Sequence, residues 1–107
     1  MVNIKFNPKY LQLEVIGHAG SGKKGEDIVC SAISTLFYTL GETLMQSAEM
    51  LVESPVVVDK EGNGVIVCTP KAEYEGNIAC IYRTVLIGLQ MVAEHYPEYA
   101  TFTVVEE

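Results

Sequence analysis

From residue 27 onward the run DIVCSAISTLFYTLGETLMQSAEML sets Ile28, Val29, Ala32, Ile33, Leu36, Leu40 and Leu44 at helical spacing on one broad face. A long helix with a single apolar stripe must lay that stripe against other structure, and the flanking sequence offers short β-rich runs to receive it. Residues 2–6 and 10–16 alternate as strands on either side of Asn7-Pro8-Lys9, which supplies turn chemistry. The pattern then returns: residues 55–59 and 65–69 flank Lys60-Glu61-Gly62-Asn63-Gly64 as a second hairpin, ended by Pro70. A second helical stretch runs from about Glu75 through Ile78, Ile81, Val85, Leu89 and Val92 to His95 and stops before Pro97. Residues 101–105 read as a closing strand.

The order ββαββαβ, built from hairpins rather than crossover repeats, predicts an α+β fold: a two-layer α/β arrangement with a mostly antiparallel sheet and two helices. At 107 residues, 49% of them apolar, the chain fits one domain spanning residues 1–107. A domain of that size buries roughly 65% of its unfolded surface.

Charge and cysteine usage exclude several roles. Fourteen acidic residues against seven basic ones leave a net charge of -7, which repels phosphate backbones and favours a basic protein or peptide as partner, with no direct nucleic-acid binding. Lys23 and Lys24 are the only hint of an RNA-associated factor, and no stripe of basic and aromatic residues accompanies them. The amino terminus lacks a signal-peptide core, and no uninterrupted apolar run reaches ~18 residues, so the expectation is a soluble cytoplasmic protein with no membrane partner. Cys30, Cys68 and Cys80, odd in number and without a CxxC pair, argue for reduced thiols rather than a disulfide framework or zinc site.

Between the first hairpin and the first helix, residues 17–25 hold four glycines with Ser21, Lys23 and Lys24, which predicts a flexible surface loop with Gly20, Gly22 and Gly25 as its pivots. The loop joins His18, at the end of a strand, to Cys30, near the start of a helix that begins around Glu26 or Asp27. A thiol in the first turn meets the positive end of the helix dipole and free amides, and a neighbouring imidazolium favours the thiolate further. Nucleophilic cysteine catalysis requires that pair: a thiolate to attack a carbonyl, and an imidazole to protonate the leaving amine. Helix-start amides are the expected oxyanion donors.

Asp27, Cys30, Ser31 and Ser34 share a polar helical face, so Cys30 should sit at the border of core and solvent. By residue type alone, a cysteine in an amphipathic helix is ordinarily a packing residue and a lone histidine structural. Asp27 on the same terms is an ordinary first-turn carboxylate, and Ser34 a solvated helix residue. Cys68, in a β-rich run, and Cys80, in the second helix, read as packing residues, while His95 complements a helix carboxyl end. Gly17-His18-Ala19-Gly20-Ser21-Gly22-Lys23-Lys24 imitates a phosphate-binding GxxxxGK loop. Lys24 stands where that loop needs Ser or Thr for magnesium, and the preceding strand belongs to a hairpin, so nucleotide hydrolysis is rejected.

The segment GHA, the glycine loop and GEDIVCSAIS closely resemble the ribosomal-processing cysteine protease family Prp. Gly17-His18 matches the family's GH and Asp27-Ile28-Val29-Cys30 its DIVC, with eleven residues between histidine and cysteine. The resemblance implies a His18–Cys30 catalytic dyad, supporting positions at Asp27 and Ser34, and no metal or organic cofactor. It further implies an endopeptidase that removes the amino-terminal extension of the bacterial large-subunit ribosomal protein L-twenty-seven, a basic substrate whose cleavage site is rich in large apolar residues. A homodimer formed through the helices is implied in the same way. The rival reading is a noncatalytic acidic module that binds a protein in ribosome assembly.

Overall fold

The structure, a computed structural model, describes residues 1–17, 24–60 and 62–106, with backbone alone for residues 24–27. The elements are β1 (Val2–Asn7), β2 (Gln12–Ile16), α1 (Lys24–Met45), β3 (Val56–Lys60), β4 (Asn63–Val67), α2 (Glu75–His95) and β5 (Ala100–Val104), with single 3-10 turns at Ala48–Met50 and Ala72–Tyr74. The expected ββαββαβ order and α+β class hold. The five strands form one sheet in the order β3-β4-β2-β1-β5, antiparallel throughout except for the parallel pair β1 and β5.

Period-two alternation decides the buried face. Val2, Ile4 and Phe6 of β1 pair with Ala100, Phe102 and Val104 of β5, Phe6 lies opposite Leu13 of β2, and Leu13 lies opposite Ile66 of β4. The fully buried members of these pairs, with Val29, Ile33, Phe37, Leu40 and Leu44 of α1 and Ile78, Tyr82, Val85 and Leu89 of α2, make one core. Each large aliphatic side chain so buried contributes about 1.5–3 kcal/mol over leaving it in water. The opposite face of the sheet carries Asn3, Lys5 and Glu14 among its residues, and Thr101 donates to the Asn3 side chain at 2.7 Å.

Several boundaries depart from the sequence reading. β2 starts at Gln12 rather than Tyr10, because Leu11 adopts φ 52 and breaks the extended chain. The second turn shrinks to the two residues between Lys60 and Asn63, with Gly62 at φ 83, so β4 opens at Asn63 rather than Val65. α1 stops at Met45 instead of continuing to residue 51; Ser47 just beyond it hydrogen-bonds the Thr43 carbonyl at 2.7 Å. Ile28, assigned to the apolar face, is 54% exposed, and Phe37 takes a core place instead. By mean hydropathy Ile28–Met45 and Ala72–His95 are long and apolar enough to cross a membrane. Here each helix applies its most buried side chains to the sheet.

Candidate active site

β2 delivers the chain to Gly17, and α1 carries Cys30 away from the same end of the sheet. At Gly17 the backbone takes φ +111, and an added Cβ would stand 2.4 Å from the Met1 carbonyl oxygen, so only glycine fits. Its amide donates to the Gly62 carbonyl at 2.9 Å, which ties the residue before His18 to the tip of the β3–β4 hairpin.

α1 opens at Lys24, two to three residues earlier than the sequence reading has it, and takes in Gly25, one of the expected loop pivots. Cys30 is therefore in the second turn, not the first. The four amides without an intrahelical partner belong to residues 24–27, from roughly 4.5 to 9 Å back along the axis at 1.5 Å per residue. Dipole support falls off beyond the first turn.

Cys30 is half-buried and packs against the core cluster, the border position expected of it. One turn further on, exposed Ser34 lies on the same face and lines a small cavity of about 60 Å³ with Ile33 and Phe37 of α1, Val15 of β2, and Gly62 and Gly64 of the hairpin. Thus the helical stripe carrying Cys30 and Ser34 faces the hairpin tip that holds Gly17. Gly64 permits this approach: a Cβ there would meet the Phe37 ring at 2.8 Å. Tyr38 closes the cavity by donating its hydroxyl to the Asp59 carboxylate of β3. His18, Gly20 and Gly22 lie outside the described residues, as does the side chain of Asp27.

Sequence reasoning missed Phe37, Tyr38 and Asp59 at this cleft. Tyr38 was within reach, since it follows Ser34 by four residues on the same helical stripe. Asp59 comes near only through the packing of the hairpin on α1, which no local pattern records.

The other cysteines divide. Cys68 is buried and accepts a hydrogen bond from the Tyr82 hydroxyl at 3.5 Å. Burial pushes its thiol above the ordinary cysteine value despite that bond, and burial, followed by the contact with Cys68, pushes Tyr82 well above the ordinary phenol. Cys80, expected to pack in α2, is exposed, because the buried face of α2 runs through Ile78, Tyr82, Val85 and Leu89. His95 does sit in the last turn, its Nδ1 donating to the Met91 carbonyl at 2.7 Å. Among the described residues, no three His, Cys, Asp or Glu side chains converge as metal ligands.

The signature of the family described as Cysteine protease Prp matches residues 1–101. No curated protein sequence matches the chain significantly. Among solved structures, SMU.848 from Streptococcus mutans shares 27% identity at TM-score 0.74, covering 99% of this chain and 93% of its own. The essential ribosomal processing protease Prp from S. aureus, in complex with a covalently linked product peptide, shares 23% identity at TM-score 0.73, with 97% of both chains covered. The same protease with a substrate peptide shares 22% at TM-score 0.71, again with 97% of both chains covered.

Proposed function

This chain belongs to the Prp family of cysteine proteases, and from that premise we propose that it removes the amino-terminal extension of the large-subunit ribosomal protein L-twenty-seven, with Cys30 as nucleophile and His18 as its base. The observation that carries this reading is the position of Cys30: half-buried, on a helical stripe that opens onto a cleft whose far wall is tied to Gly17, the residue before His18. The peptide complexes of the S. aureus protease support a peptide substrate.

In the proposed reaction His18 takes the thiol proton, and the Cys30 sulfur attacks the scissile carbonyl to form a tetrahedral adduct. Collapse of that adduct breaks the carbon–nitrogen bond as the imidazolium gives its proton to the departing amine, leaving a thioester. Water, deprotonated by His18, then attacks the thioester, releases the new carboxyl end and restores the thiol. Because the free amides of α1 lie back from Cys30, His18 carries most of the electrostatic work on the thiolate. Asp27 and Ser34 serve as positioning residues, and Gly20 and Gly22 let the segment before α1 settle over the substrate. The chain's charge of -7 suits a basic ribosomal protein with an apolar cleavage site, met in the cytoplasm. A homodimer through the helices would cover exposed apolar side chains such as Ile28 of α1 and Met91 of α2.

The test is a peptide spanning the processing site, incubated with wild type, Cys30→Ala and His18→Ala. Cleavage by wild type alone is expected. Undiminished cleavage by either variant overturns the dyad, and failure of wild type to cut this peptide while it cuts another overturns the substrate.

A further inference from the structure

On the flank where α2 meets the β1–β5 side of the sheet, and sharing no lining residue with the cleft beside Ser34, lies a second concavity of about 440 Å³. That is within the range of small-molecule sites, which hold mostly apolar walls and a few polar groups. Its walls are Phe6, Leu11, Leu86 and Phe102, and its polar groups include Arg83 and Gln90 of α2.

Two features set this hollow apart from an ordinary crease between elements. Leu11 reaches it from a backbone at φ 52, a left-handed conformation that a branched side chain rarely adopts. Arg83 is the sole arginine of a chain carrying fourteen acidic residues, yet among the described residues it makes no ion pair. A guanidinium with its fork unengaged at the edge of an apolar wall is complementary to a planar anion on an apolar body. Lys9, in the same turn as Pro8 and Leu11, stands outside the lining with its ammonium over the Tyr10 ring, so Arg83 is the cation of the hollow among the described residues.

We propose that this flank is a binding site for an aliphatic carboxylic acid, its chain lying over Phe6, Leu11, Leu86 and Phe102 and its carboxylate held by Arg83. The site is separate from the cleft at Cys30 and does not depend on the catalytic reading.

Decanoate and its neutral amide are titrated into the full chain, followed by calorimetry and by methyl chemical shifts of Leu11, Leu86 and Val104. Saturable one-to-one decanoate binding that shifts those methyls is expected. Arg83→Gln should weaken decanoate about tenfold and leave the amide unchanged, with Arg83→Lys in between. Absence of saturable binding, or equal loss for acid and amide, overturns the site. It is also overturned if sedimentation shows a dimer in which these methyls are already covered by the second copy.

Discussion

Cys30 and Cys68 carry the same side chain into opposite surroundings. Cys68 lies just past the end of β4 in the core, with the Tyr82 hydroxyl as its neighbour and its thiol held protonated by burial. Cys30 stands half out of the core, on a helical face that borders a cleft. The difference shows that a thiol's access to solvent in a small domain is set by its position on an element rather than by residue type. A thiol that follows a strand into the core becomes filling, and one at the edge of a helix's buried stripe keeps part of its surface exposed.

The sharpest way to break this contrast is to truncate each thiol. Cys30→Ala should cut peptide cleavage by about 10⁴-fold with little change in melting temperature. Cys68→Ala should leave turnover per folded molecule intact while costing about 1–3 kcal/mol of stability, as Tyr82 loses its neighbour. A swap of these two outcomes would reverse the assignment of roles.

Alkylation at neutral pH tests the same contrast without mutation. Cys68 should react about 10³-fold or more slowly than Cys30, since it is exposed only when the core opens. Exposed Cys80 sets the rate of an accessible but unactivated thiol, and Cys30 must exceed it if a base acts on it. Peptide mapping after a short iodoacetamide pulse gives the order.

The tie between Gly17 and the hairpin can be loosened in turn. Gly17→Ala must move the chain away from the Met1 carbonyl, and cleavage should fall by about 10²-fold through misplacement of the next residue, His18. Cleavage by this variant at the wild-type rate would show that the strand end does not position the base.

The smallest expected effect is on pH dependence. Cys68 and Tyr82 both have raised values in the folded state, so above the ordinary 9.0 and 10.0 the unfolded chain releases protons that the folded one keeps. Their contribution is complete below pH 9.0 and is lost as the pH rises beyond it. Thermal melts between about pH 8 and 10.5 should show falling stability. Tyr82→Phe should flatten the fall, and an unchanged slope would refute the buried pairing.

Local chemistry made the element order, the hairpins, most of the aliphatic stripes and the place of Cys30 near the start of α1 legible in the sequence, because periodicity and turn residues act within a few positions along the chain. What the sequence left open was decided by contacts between distant segments. The parallel seating of β5 beside β1 joins residues some 98 positions apart, as the Thr101–Asn3 bond shows. That docking turns α2 so that Tyr82 enters the core and Cys80 leaves it, and packing of the β3–β4 hairpin on α1 brings Asp59 to Tyr38. Ile28 and Phe37 exchange their expected places for the same reason: a helical pattern defines a broad apolar arc, and only the sheet it meets selects which part of that arc is covered.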